Sequence, residues 1–167
     1  MSNMPYATDN TDPNVRSARY LIVESKTLCP QCNVVSRVYA FALPAGYESL
    51  TVDDDSPDDE RGTWEVPGLP AVLSYVEYLS ETVVNRILVM TPHYRIDRDG
   101  ETGGTFWMNH CEHCGGQMIE EALHGEPEGA FGATPQEGPE AIQWHEVREP
   151  FEAWAGAESH DVKPLDS

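Results

Sequence analysis

The sequence predicts an α+β fold rich in β-structure, with a pair of CxxC knuckles on β-hairpins and a helix-containing segment inserted between them. Three observations lead there. Short runs of β-branched and aromatic residues are punctuated by Gly, Pro and Asp, the pattern of strands and turns. Residues 80–91 carry apolar side chains at helical spacing instead. All four cysteines fall into two pairs, Cys29 with Cys32 and Cys111 with Cys114, leaving none over. At 167 residues the chain has the size of one domain and can bury a core without covalent staples.

Taken in order, residues 1–15 are polar and hold Pro5 and Pro13, so they are expected to form a disordered arm. Residues 16–154 then make a single domain. Arg19–Glu24 ("RYLIVE") reads as a strand leading into the first knuckle, "TLCPQCN". Val34–Leu43 ("VVSRVYAFAL") fits a strand, but Val34, Val35, Val38 and Phe41 also share a helical face. Its β-branched and aromatic content, and Pro44 at its end, favour strand. Residues 44–63 are an acidic loop holding "DDDSPDDE". The ligand alternation and sixth-position glycine of a calcium loop are missing, so this is a solvated charge run. Val72–Leu79 ("VLSYVEYL") carries both periodicities and is read as strand.

Ser80 is placed to cap a helix over residues 80–91, with Glu81 in the favoured first turn. Val83, Val84, Ile87 and Leu88 form its apolar face, and Pro92 ends it. Arg95–Gly104 ("RIDRDGETGG") is turn chemistry, without the lysine and glycine spacing of a phosphate loop. Thr105–Met108 enters the second knuckle as a strand, and Gln117–Leu123 leaves it as another. A Gly/Pro/Glu-rich loop follows from Gly125, with Phe131 as its anchor to the core. Ala141–Val147 alternates as a strand, Pro150–Trp154 reads as a turn with Phe151 and Trp154 buried, and residues 155–167 read as a tail.

The cysteines carry the clearest chemistry. A CxxC turn places two thiolates about one tetrahedral edge apart, and two such turns complete a closed shell around one Zn(II). The residues after the second cysteines are Asn33 and Gly115, the types that best tolerate left-handed backbone. That bend lets backbone N–H groups point at sulfur. A structural zinc on Cys29, Cys32, Cys111 and Cys114 is therefore expected. Two alternatives stay open. "CPQC" looks like a dithiol of the thioredoxin superfamily, where a helix N-terminus lowers the thiol pKa, and disulfides are the other. Four thiolates fill a tetrahedron, so neither His110 nor His113 is assigned as a ligand. His113 is expected to face solvent, while His110 and Asn109 are placed to support the ligands from behind. A catalytic zinc keeps an open position, and four cysteines argue against one. No HExxH, nucleophile elbow or dinucleotide fingerprint is present.

The paired "CPQC" and "CEHCGG" knuckles resemble the zinc-ribbon class. More narrowly, "GTFWMNHCEHCGG" followed by "EPEGAFG" looks like a motif of small uncharacterised bacterial proteins that share an aromatic-Trp-x-Asn-His-Cys-x-x-Cys-Gly segment and an upstream CxxC. The resemblance implies a bacterial cytoplasmic protein with zinc at the four matching cysteines, and nothing catalytic.

Charge narrows the partners. Acids outnumber bases 29 to 10, for a net charge of −19. Such a chain lacks the cations that displace counterions from nucleic acid, and an acidic membrane surface repels it. No apolar run is long enough to span a bilayer. The first twenty residues lack the basic and apolar regions of a secretory signal, so a cytoplasmic location and reduced thiols are expected. Together these readings favour a non-enzymatic, zinc-stabilised binding or adaptor protein with a protein partner. A thiol–disulfide oxidoreductase using Cys29 and Cys32 is one alternative. An acidic decoy of a nucleic-acid-binding surface is another, because residues 120–167 hold 12 acids against Arg148 and Lys163.

Overall fold

A computed structural model describes residues 12–51, 63–100, 102–125, 129–132 and 142–160. Before the first knuckle lie β1 (Val15–Ser17) and β2 (Tyr20–Leu28). After it come β3 (Val35–Leu43), β4 (Glu48–Thr51), β5 (Thr63–Glu65), β6 (Ala71–Leu79), α1 (Glu81–Met90), β7 (Tyr94–Arg98) and β8 (Thr105–His110). The second knuckle leads to β9 (Gln117–Met118), a single π-helical turn (Glu121–Gly125), β10 (Gln143–Val147) and β11 (Phe151–Ser159). The strands form one antiparallel sheet in the order β10-β2-β3-β6-β11-β1-β4-β5, with a branch where β8 pairs with β6, β7 and β9. The fold is β-rich, as expected.

The β2–β3 hairpin is its spine, in register from Leu21 opposite Ala42 to Leu28 opposite Val35. Side chains alternate across a strand, and here both faces are covered. Ile22, Tyr39, Phe41 and Leu43 enter one core with Val83 and Ile87 of α1. Leu21, Val23, Val38, Ala40 and Ala42 enter a second core with Cys29, Cys111, Met118 and Leu123. Burial on both sides explains why "VYAFAL" is continuously apolar and so gave two periodicities.

The helix forms where residues 80–91 place it. Ser80 is extended, and its carbonyl accepts the N–H groups of Val83 and Val84, but its side chain makes no capping bond. Leu88 does not join the expected face: it is exposed, while Val83 and Ile87 are buried.

Several assignments differ from expectation. The arm does not extend to residue 15, because Val15 is fully buried and pairs with Ala153 and Ser49. Asn14 also clasps the backbone of Ala155 through both amide atoms, each at 2.8 Å; residues 1–11 lie outside the described residues. Within the acidic loop, Tyr47 is buried and β4 pairs with β5, whereas the charge run itself lies outside the described residues. Tyr94–Arg98 is a strand on β8 and not part of a turn, the turn proper starting at Asp99. The strand after the second knuckle stops at Met118 and gives way to the π-helical turn. Lastly, Phe151–Trp154 opens the strand β11 and is not a turn, with Phe151 buried and Trp154 only half-buried, and residues 155–159 are not a tail. They continue β11, with Ala155 opposite Val76 and Ala157 opposite Ser74. Pairing overrides the low strand preference of these small residues.

Candidate metal centre

Each CxxC turn closes the tip of a hairpin, the first between β2 and β3 and the second between β8 and β9. The two tips are built alike. Cys29 N–H donates to the Val34 carbonyl at 3.0 Å, and Cys111 N–H to that of Gly116 at 2.8 Å. Asn33 N–H returns to the Cys29 carbonyl at 2.8 Å, as Gly115 N–H does to that of Cys111 at 3.0 Å. Both returns need left-handed backbone, which Asn33 adopts at φ 61° and Gly115 at φ 75°. The bend aims N–H groups at sulfur: Gln31 at Cys29 (3.4 Å), His113 at Cys111 (3.3 Å) and Gly116 at Cys114 (3.4 Å). The expected turn chemistry is present in both knuckles.

No atom lies within 4 Å of a side chain added at Gly115, so only its φ resists substitution. Gly115→Ala should therefore cost about 1–2 kcal/mol, read as a lowered urea midpoint with unchanged slope.

The four sulfurs come together from distant parts of the chain, all within 4.8 Å of one another. Between knuckles, Cys29 lies 3.7 Å from Cys114 and Cys32 lies 3.6 Å from Cys111. A disulfide needs about 2.05 Å, and the thiols are free. Tetrahedral coordination with metal–sulfur bonds near 2.3 Å puts sulfurs roughly 3.8 Å apart, so the donor set fits one metal ion. Cys29 and Cys111 are buried, Cys32 is half-buried and Cys114 is exposed.

Their protonation is mutually dependent. Burial resists ionisation of Cys111, but N–H donors from Cys114 and His113 and hydrogen bonds from the Cys32 and Cys29 thiols outweigh it, bringing this thiol down to about 6. Cys32 accepts the Val34 N–H, yet burial and the neighbouring Cys111, Cys29 and Cys114 push it up to about 12. One thiolate is stabilised at the expense of Cys32 and Cys114. A divalent cation among them removes that competition, because it favours every sulfur in its deprotonated form.

Side chains then lock one tip to the other. Among the described residues, no strand pairs with the edge of β3 near the knuckle, since β6 pairs only with Phe41–Leu43. Asn109 takes that place: Tyr39 N–H donates to its Oδ1 at 2.7 Å, and its Nδ2 donates to the Tyr39 carbonyl at 2.8 Å. Glu112 accepts the Arg37 N–H at 2.8 Å, and its own N–H donates to Ser36 Oγ at 3.0 Å. Gln31 donates to the Gln117 carbonyl at 3.2 Å. Asn109 thus supports the cysteines from behind by joining the strands that carry them.

His110 is buried, with Nε2 2.8 Å from Asp97 Oδ2 and Nδ1 3.2 Å from the His93 carbonyl. It ties β8 to β7, away from the sulfurs. The Asp97 carboxyl is held below its usual range: burial opposes this, but hydrogen bonds from His110, Gln117 and the Arg98 N–H prevail. His113 is exposed as expected, although Nε2 also reaches the Val35 carbonyl at 3.1 Å.

Sequence reasoning passed over Ser36, Glu112 and Gln117, whose roles depend on which strands meet. It also passed over Glu120 and His124, both side chains buried and separated by one helical turn; their i, i+4 spacing is the one local signal they carry. The Cys29–Cys32 pair stands on a hairpin and not at a helix N-terminus, so it lacks the feature that activates a dithiol of the thioredoxin type. Among the described residues, Leu28, Val34 and Val35 form exposed apolar surface beside this knuckle. Comparison with known proteins gives no matching family model, no matching curated protein and no matching solved structure.

Proposed function

We propose that this chain is a non-enzymatic binding protein whose two zinc-ribbon-like hairpins are held by one structural Zn(II) on Cys29, Cys32, Cys111 and Cys114. The observation that carries the reading is the convergence of four sulfurs within 4.8 Å on two matched knuckles. Four soft donors in tetrahedral disposition suit a d¹⁰ ion without redox chemistry. A closed thiolate shell leaves no position for substrate or activated water, which favours a structural role over catalysis. Free thiols suit a reducing compartment such as the cytoplasm. The exposed Leu28, Val34 and Val35, together with the net charge of −19, favour a polypeptide partner that offers apolar and basic side chains. Such association weakens as salt screens the charges.

Elemental analysis tests the metal. The purified chain is expected to carry one zinc, with its four thiols slow to react until a strong chelator is added. Metal-free protein with oxidised cysteines, or stoichiometric iron, overturns the reading.

A further inference from the structure

The segment leaving the second knuckle carries a polar pair that the cysteines do not use. Glu120 and His124 are one turn apart, with side chains 2% and 7% exposed. Glu120 Oε2 accepts the backbone N–H of Tyr75 in β6 at 3.0 Å. Among the described residues, Glu120 Oε1 makes no hydrogen bond and lies 3.7 Å from His124 Nε2, and His124 Nδ1 is buried without a partner. The imidazole stacks on Phe131 at 4.9 Å, and Phe131 N–H bonds the Leu123 carbonyl at 2.8 Å. One carboxyl therefore joins β6 to the π-helical turn, against which Phe131 packs.

The strand it grips is strained. Tyr75 has φ 54° in the middle of β6, a conformation that bulky residues avoid. The ladder pairs Val76 with Ala155 and Ser74 with Ala157, passing over Tyr75. That frees its N–H for Glu120. Gly156 lies alongside, where an added Cβ would approach Tyr75 Cβ to 2.8 Å. Backbone strain of this kind persists only where the surroundings over-determine it, and π-helical turns concentrate at functional positions.

We propose that the buried Glu120 carboxyl holds a proton beside a neutral His124, and that this proton is a latch whose loss releases the turn Glu121–Gly125 from β6. The groups facing the pair are Tyr75 from β6, Tyr94 from β7, Asp99 from the turn after β7, and Glu121 beside it. None of these supplies a cation to stabilise a bare carboxylate. Burial pushes the Glu120 carboxyl up to about 8, the Tyr75 N–H opposing and the Asp99 charge adding to it. Burial likewise pushes the His124 imidazole down to about 3, so the ring beside the carboxyl carries no charge to stabilise a carboxylate. The folded state binds the carboxyl proton more tightly than the unfolded chain. The carboxyl's contribution is full below the ordinary carboxyl range and is lost as pH rises through the raised value, whereas the neutral imidazole's is full above the ordinary histidine range and is lost as pH falls through its lowered value.

Hydrogen exchange read by mass spectrometry on the full chain, corrected for the intrinsic pH dependence, tests this. Protection of the turn Glu121–Gly125 should fall about tenfold between about pH 7 and about pH 9, while the β2–β3 hairpin keeps its protection. Glu120→Gln, which keeps an acceptor for Tyr75 but cannot ionise, should show no such fall. Equal protection of the wild-type turn at both pH values, or the same loss in Glu120→Gln, overturns the proposal. Should the variant fail to fold, the wild-type Glu120 carboxyl carbon is followed by NMR. A midpoint near 8 supports the latch, and one near the ordinary carboxyl value sinks it.

Discussion

Cys111→Ser should unfold the protein at a temperature lower by well over 10 °C, or remove its cooperative transition altogether. Cys111 is fully buried, in the same core as Met118, Leu123 and Phe131. As packing, the change from sulfur to oxygen is small, on the order of 1 kcal/mol. As metal chemistry it is large. Structural zinc sites contribute about 10–16 kcal/mol of apparent binding free energy, comparable to the whole stability of a domain at about 5–15 kcal/mol. The two effects separate with a chelator. Thermal unfolding of wild type in chelator should fall to the level of Cys111→Ser, and the variant should be nearly indifferent to chelator. Cys29→Ser should match it, whereas Cys114→Ser should cost less, because solvent can reach the vacated position of an exposed ligand. A Cys111→Ser protein as stable as wild type in saturating zinc would remove the metal from the account of this fold.

Asn109→Leu should cost about 2–6 kcal/mol. The Asn109 amide acts as one residue of a missing strand, giving and accepting one hydrogen bond with Tyr39. A leucine of similar size removes both and leaves the buried N–H and carbonyl of Tyr39 without partners, each costing roughly 1–3 kcal/mol. Asn109→Asp should not rescue it, since a carboxylate satisfies the N–H but repels the carbonyl. The measurement is a urea midpoint at unchanged slope, supported by faster hydrogen exchange at Tyr39. The same variant should bind zinc more weakly, because Asn109 holds the two tips together before any metal arrives. Loss of stability with unaltered zinc affinity would mean that the tips are aligned by the metal alone.

The parts legible in the sequence were those whose cause is local. CxxC spacing sets two sulfurs on one turn, and Asn33 and Gly115 announce left-handed backbone, so both knuckles could be drawn in detail without knowing where they stood. The α1 helix was equally local, with Ser80, the spacing of Val83 and Ile87, and Pro92 marking it. Failures came where a neighbour decides. "FEAWAGAES" has little intrinsic preference for strand, yet it makes the long β11 because β6 and β1 lie on either side. "RIDR" is polar enough for a loop and becomes β7 because β8 pairs with it along its length.

What the amino-acid order determined by itself was the chemistry of each knuckle: four thiols, two matched bends, donors aimed at sulfur. What only the tertiary structure decided was that hairpins separated by a helix and several strands meet tip to tip, that Asn109 substitutes for a strand along β3, and that Glu120 and His124 are enclosed together. The reason is the range of the interactions. Turn geometry depends on a few consecutive dihedrals, whereas burial and cross-strand hydrogen bonding depend on which distant segments the sheet brings side by side.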